Sequence, residues 1–193
     1  MSEPWLVVGL GNPGPQYRDT RHNVGQLVID QLAQDRGESW RTHRAGARVA
    51  ETWLAPGGAR LILALPNSFM NVSGRPVAAL TRFYGVVPER LIIVHDELDL
   101  PFGALKLKCG GGHGGHNGVR DVAAALSTAE FTRVRMGIGR PPGRHDPADW
   151  VLAPFAAPER GGRDLLVTEA AEAVELIVER GLTAAQQRVH SPL

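Results

Sequence analysis

Histidine and aspartate side chains stand at two places in this sequence where hydrolytic chemistry is possible. His22 lies just before a predicted helix, and Asp96 directly follows an apolar run. A carboxylate can hold an imidazole by its ring N–H, fix its tautomer and stabilise the imidazolium that forms when the ring takes a proton. The residues alone leave a simpler role open, because histidine and aspartate at such positions also cap helices and turns.

Two asparagines follow predicted strands. Asn12 comes after the first apolar run of the chain, and Asn71 comes after a later strand and Pro66. Open α/β sheets bind ligands at the carboxyl ends of their strands, so we expect both amides on the same rim as Asp96. Neutral amide donors suit a substrate carbonyl and a developing oxyanion. Asparagine is also a good helix N-cap, which is the structural alternative for Asn71.

Glycine is over-represented, with 23 of the 193 residues, against a usual share of about 7%. Two clusters stand out, residues 9–14 and residues 110–118. The first matches the G-x-G-x-x-G turn of dinucleotide-binding proteins, which makes a nicotinamide-dependent enzyme one alternative. Pro13 and Pro15 argue against it, because proline has no N–H to donate to a pyrophosphate.

The second cluster, residues 110–118, is called the glycine loop below. Glycines let a backbone approach a ligand closely, and a predicted helix begins where the loop ends. A metal site from His95, His113 and His116 is disfavoured, because the last two are three residues apart within glycines and no thiolate set accompanies them. Cys109 as a nucleophile paired with His113 is also disfavoured, because its predicted strand buries it. We therefore expect neither a metal nor a cofactor.

Hydrophobic periodicity places these residues between alternating strands and helices. It predicts one α/β domain over residues 1–193, with a twisted mixed β-sheet and helices on both faces. The predicted strands cover residues 5–10, 47–54, 60–65, 91–95, 105–108 and 131–138, and the predicted helices cover residues 24–37, 77–84, 119–126, 165–178 and 182–189.

The charge is distributed unevenly. The formal net charge is +1, but seven bases and two acids give residues 101–145 a charge of +5, and residues 146–180 carry −5. A local positive surface could therefore bind phosphates, although two ordinary solvated surfaces are the plainer interpretation. The one cysteine excludes an intramolecular disulfide. With no signal peptide and no membrane-length apolar run in the sequence, we expect a cytoplasmic protein that does not bind membranes.

Taken together, these segments resemble the bacterial-type peptidyl-tRNA hydrolase family. Each motif is only moderately specific, but five of them occur in the family's order and spacing, and weaker similarity runs from about residue 5 to residue 190. The matching segments are residues 8–14, Tyr17, residues 20–23, 69–74 and 95–101, and the glycine loop.

The resemblance implies hydrolysis of the ester that joins a peptide to the 3′ ribose of tRNA. It implies that His22 is the base that activates water, that Asp96 is its partner, and that Asn12 and Asn71 position the substrate carbonyl and the water. Which of the two amides holds the water is left open. An ester has a good leaving group, so a base-activated water is sufficient without a metal.

The resemblance also implies where tRNA binds. Lys108 and Arg135 are similar in place to a basic pair for the tRNA 5′ phosphate, with Arg133 as a competing candidate. The expected partner is the acceptor stem and 3′ CCA end of peptidyl-tRNA, bound by a monomer. A non-catalytic RNA-binding relative is the alternative, and the intact polar set argues against it. Further substrate-binding residues implied by the family are Tyr17, Asn23, Met70, His116 and Asn117.

Overall fold

A seven-stranded mixed sheet forms the centre of the computed structural model, which describes residues 3–190. The strand order is β2-β3-β4-β1-β5-β7-β6. The inner strands β4, β1, β5 and β7 run parallel, and the outer pairs β2–β3, β3–β4 and β6–β7 are antiparallel. The strands are β1 (Trp5–Gly9), β2 (Arg41–His43), β3 (Ala47–Trp53), β4 (Arg60–Pro66), β5 (Leu91–Glu97), β6 (Leu105–Cys109) and β7 (Thr132–Gly137).

Helices cover both faces of this sheet, because its inner strands are apolar on both sides. Val7 of β1 packs with α1 and α5, and its neighbours Leu6 and Val8 pack with α2 and α3 on the opposite face. This arrangement confirms the predicted fold class. No helix within residues 3–190 is both long and apolar enough to cross a bilayer. The helices are α1 (Val24–Asp35), α2 (Gly74–Tyr84), α3 (Asn117–Leu126), α4 (Pro147–Val151), α5 (Arg160–Arg180) and α6 (Leu182–Val189).

The structure differs from the predicted elements where apolar periodicity is missing. Strand β2 reads Arg-Thr-His, and backbone pairing with β3 alone makes it a strand at the sheet edge. Helix α4 has no buried residue to give a helical pattern. Helix α2 begins only at Gly74, after a 3₁₀ turn over Met70–Val72, so Asn71 does not cap it.

Close packing of α1 on the sheet fixes the position of the segment that precedes it. A Cβ at Gly25 would overlap the carbonyl oxygen of Val94 on β5, so only glycine allows the helix to lie this near. The turn Arg21–Asn23 leads directly into α1. His22 therefore lies at the carboxyl end of β5.

This close approach gives a first prediction. Gly25→Ala should lower the free energy of unfolding by about 1–3 kcal/mol, because the added methyl group must displace α1 from β5. The measurement is urea unfolding followed by circular dichroism. Gly161→Ala is the matched control, since a Cβ there meets nothing within 4 Å. Equal stability of the two variants would contradict the packing argument.

Candidate active site

The buried carboxylate of Asp96 lies at the centre of the candidate site. Asp96 is the sixth residue of β5 and is 2% exposed. Nδ1 of His22 lies 2.9 Å from its Oδ2, and Nε2 of His116 lies 2.8 Å from its Oδ1. Burial alone would raise the pKa of Asp96, but the two imidazoles outweigh it and hold that pKa well below its usual range.

His22 presents its other nitrogen away from this carboxylate. Its Nδ1–H donates to Asp96, which leaves a lone pair on Nε2 of the neutral ring. Among the residues the structure describes, none makes a hydrogen bond to Nε2. Burial lowers the pKa of His22, yet the charge and hydrogen bond of Asp96 raise it further, so the net shift is upward. This nitrogen is placed to take a proton from a ligand.

His116 is held in one tautomer and binds Oδ1 of Asp96. Its Nδ1 accepts the backbone N–H of Val119 at 3.2 Å, as the N-cap of α3. The ring must therefore carry its proton on Nε2, which donates to Asp96. Its ring centroid lies 5.1 Å from that of His22. Asp96 is thus shared between two imidazole donors.

His95 is a third imidazole, which the sequence analysis considered only as a disfavoured metal ligand. It is fully buried, and its Nδ1–H donates to the backbone carbonyl of Asp96 at 2.7 Å. Burial, reinforced by His116, places the pKa of His95 well below its usual value, so the ring is neutral. The donor cluster that could hold a metal differs from the one weighed in the sequence: it is His22, Asp96 and His116, with donor atoms within 4.8 Å of one another.

Hydrogen bonds hold both the backbone and the side chain of Asn12. Its backbone N–H donates to Oδ1 of Asn23 at 2.9 Å, and its carbonyl accepts from Nδ2 of Asn23 at 3.0 Å. Its own Oδ1 accepts the N–H of Met70 at 2.7 Å. The amide is therefore turned so that its Nδ2 donors remain available to a ligand.

Asn23 and Met70 differ from the expected substrate contacts. Asn23 is 2% exposed, and both polar atoms of its amide are engaged by the backbone of Asn12. Met70 is also buried, and its N–H is used by the Asn12 side chain. Both residues hold Asn12 in place, which is a positioning role that their motif positions did not indicate.

The remaining rim residues are more open. Asn71 and Asn117 are exposed, at the Met70–Val72 turn and at the first position of α3. Tyr17 is half-buried and packs edge-on against Phe69, with ring centroids 6.4 Å apart. Their side chains are therefore free to meet a ligand at the rim.

The three candidate phosphate ligands have different surroundings. Arg133 is 2% exposed, and its guanidinium donates to the carbonyls of Gly110 and Gly112, so it supports the glycine loop. This burial removes the reason for assigning Arg133 to a phosphate. Arg135 is bonded to Glu97 at 2.7 Å, and Lys108 has no ion-pair partner within residues 3–190.

Arg21 is a further residue for which the sequence carried no signal beyond its place beside His22. Its guanidinium lies 3.5 Å above the Trp150 ring and donates to Glu159 at 2.8 Å. It also reaches the backbone carbonyls of Trp150 and Ala153. A buried arginine thus ties the turn that carries His22 to the α4 segment.

Comparison with known proteins identifies the family to which the chain is similar. Residues 6–193 match the model of the family described as Peptidyl-tRNA hydrolase. The chain is 59% identical to the Peptidyl-tRNA hydrolase of Leifsonia xyli subsp. xyli, over 99% of both chains. It is 56% identical to the one from Kineococcus radiotolerans, over the full length of both. The crystal structure of peptidyl-tRNA hydrolase from Acinetobacter baumannii superposes with a TM-score of 0.90 at 36% identity, covering 99% of this chain and 96% of that one.

The Asn12–Asn23 pair gives a second prediction. Asn23→Ala should lower the free energy of unfolding by about 1–3 kcal/mol, because the buried N–H of Asn12 loses its acceptor. Asn71→Ala is the control and should change stability by less than about 0.5 kcal/mol, since its side chain is exposed. Denaturant unfolding measures both. A stable Asn23→Ala protein would refute the positioning role.

Proposed function

Because this chain belongs to the peptidyl-tRNA hydrolase family, we propose that it hydrolyses the ester between a peptide and the 3′ ribose of tRNA, with His22 as the base. The observation that carries this assignment is the orientation of one ring. Asp96 engages Nδ1 of His22, and Nε2 has no protein partner among the described residues. An imidazole held in this way accepts a proton only at Nε2.

The proposed reaction needs one water molecule. Nε2 of His22 takes a proton from the water as its oxygen attacks the ester carbonyl carbon, which forms a tetrahedral intermediate. The bond from that carbon to the ribose 3′ oxygen then breaks, and the imidazolium returns its proton to the 3′ oxygen. General-base catalysis of this kind supplies roughly 10²- to 10⁴-fold.

The two asparagines receive separate roles in this proposal. Since Oδ1 of Asn12 is already engaged by Met70, Asn12 offers N–H donors, which suit the developing oxyanion. Asn71 is exposed and keeps both the carbonyl and the amino group of its amide available. We assign the water to Asn71 and the substrate carbonyl to Asn12. Tyr17 and Asn117 are assigned to further substrate contacts at the rim.

The sharing of Asp96 has a catalytic consequence. A carboxylate devoted to His22 alone would raise the pKa of that imidazole further and leave less of the free base at neutral pH. His116 donates to Oδ1, which His22 Nδ1 also approaches at 3.0 Å, so it competes for the carboxylate and weakens this effect. We infer that His116 tunes the base in addition to lining the substrate site.

A basic face beside the site supports the tRNA contact. Lys106 lies opposite Arg135, and Lys108 lies opposite Arg133, so all four side chains share one face of the β6–β7 ladder. Lys108 has no ion-pair partner within residues 3–190 and lies against the glycine loop at Gly111, and Arg135 is partly neutralised by Glu97. We propose Lys108 as the main phosphate ligand, with Arg135 second.

Removing the base gives a third prediction. His22→Ala should reduce turnover of N-acetyl-aminoacyl-tRNA by about 10²- to 10⁴-fold, because the proposed acceptor of the water proton is removed. Binding of tRNA should persist. His43→Gln is the control, since His43 lies on β2 at the edge of the sheet. Near-normal turnover by His22→Ala would exclude His22 as the base.

The basic face gives a fourth prediction. Lys108→Gln should reduce the slope of log affinity for tRNA against log salt by about one, because one phosphate contact is lost. Arg133→Gln should instead destabilise the fold, since it frees the Gly110 and Gly112 carbonyls. Fluorescence titration of tRNA at several salt concentrations and thermal unfolding separate the two. The reverse pattern would overturn the assignment.

A further inference from the structure

A groove opens beside the Met70–Val72 turn, apart from the candidate active site. It has a volume of about 840 Å³ and lies between the β2–β3 turn, the start of α2 and the outer side of α3. Val72 is one of its lining residues and ends the Met70–Val72 turn, in which the N–H of Met70 donates to Asn12. The same short turn therefore contributes to the candidate active site and to the groove.

The groove is mixed in character, with an apolar floor and cationic walls. Val72 and Ala124 supply apolar surface, and Arg44 and Arg75 supply positive charge. Both arginines are exposed, and neither has a carboxylate partner within residues 3–190; Arg44 has only the Phe83 ring, 5.2 Å away. The one acidic lining residue, Asp121, already accepts the N–H of Gly74 at 2.7 Å.

Ser68 also lines the groove. Its hydroxyl oxygen is buried and makes no hydrogen bond within residues 3–190.

The sheet order separates this groove from the basic face. β2, β3 and β4 lie on one side of β1 and β5, and β7 and β6 lie on the other. Lys106 and Lys108 therefore flank the site on one side, and Arg44 and Arg75 flank it on the other. A peptidyl-tRNA ester also has two arms, a nucleic acid and a peptide, and the two flanks can each take one.

We propose that the Arg44–Arg75 groove binds the peptide arm of the substrate and favours peptides that carry aspartate or glutamate near the ester. This assignment rests on the proposed function, because it takes the ester to lie at Asn12 and His22. Carboxylate side chains are the complement of two unpaired guanidinium groups. Nascent peptides of other sequence would still use the apolar floor and backbone hydrogen bonds, so the preference is graded.

The test compares peptidyl-tRNAs that differ only in their peptide. N-acetylated peptides of four to six residues, rich in either aspartate or lysine, are attached to one tRNA, and kcat/KM is measured for each. We expect the wild type to favour the acidic peptides by about fivefold, as befits partly exposed ion pairs of about 1 kcal/mol. The variant Arg44→Glu with Arg75→Glu should reverse this preference. Arg44→Gln with Arg75→Gln should abolish it.

Controls keep the result specific to the groove. Arg82 lies on α2, as Arg75 does, but does not line the groove. Arg82→Glu should therefore retain the wild-type preference. N-acetyl-aminoacyl-tRNA carries a single amino acid and no peptide to fill the groove. All these variants should therefore hydrolyse it at the wild-type rate. Turnover of that short substrate by the wild type tests the proposed function by itself.

Two results would overturn the peptide assignment. The first is an unchanged peptide preference in the charge-reversed variant, with thermal unfolding confirming that it is folded. The second is an equal loss on every substrate, including N-acetyl-aminoacyl-tRNA, together with a shallower salt dependence. That second result would place RNA phosphates in the groove instead.

Discussion

A single buried carboxylate organises this site. Asp96 is enclosed at the end of β5, and an isolated buried charge is so costly that it must be paired and hydrogen-bonded. His22 and His116 meet that requirement from the starts of two different helices, α1 and α3. The pairing fixes which nitrogen of each ring is protonated. The same contacts that satisfy the carboxylate therefore determine the chemistry of the free imidazole nitrogen.

Other parts of the fold hold those two histidines at the carboxylate. Gly25 allows α1 to lie directly on β5, and Arg21 joins the preceding turn to the α4 segment. His116 is locked as the N-cap of α3, and Arg133 supports the glycine loop that leads to it. In the proposed mechanism a tetrahedral intermediate tolerates little misplacement of the base, so these distant contacts would serve catalysis by positioning His22. The proposed amide donors would meet the substrate without adding a charge that shifts the pKa of His22.

The sequence predicted the position of a residue best where that position follows from the apolar pattern of its neighbours along the chain. Strand β5 runs apolar up to Asp96, and parallel strands bring their carboxyl ends together, so the rim that carries Asn12 and Asp96 was predictable. The sequence could not reveal that the Asn23 side chain bonds the backbone of Asn12, because this contact depends on the path of the whole turn. Arg133 and Arg135 were likewise competing candidates for the phosphate, and only the folded chain shows that Arg133 is buried against the glycine loop while Arg135 pairs with Glu97 and keeps partial exposure. The +1 net charge likewise concealed a division of cations between two flanks.

Asp96 is proposed to set the ionisation of His22, and the pH dependence of kcat/KM measures that ionisation directly. Only neutral His22 accepts a proton, and Asp96 raises its pKa above the usual value of about 6.5. The wild-type rate should therefore rise with pH through a midpoint above that value. In Asp96→Asn the burial of His22 is no longer opposed, so the midpoint should move to lower pH while the maximal rate falls. A midpoint that stays in place in Asp96→Asn, or moves upward, would contradict the account.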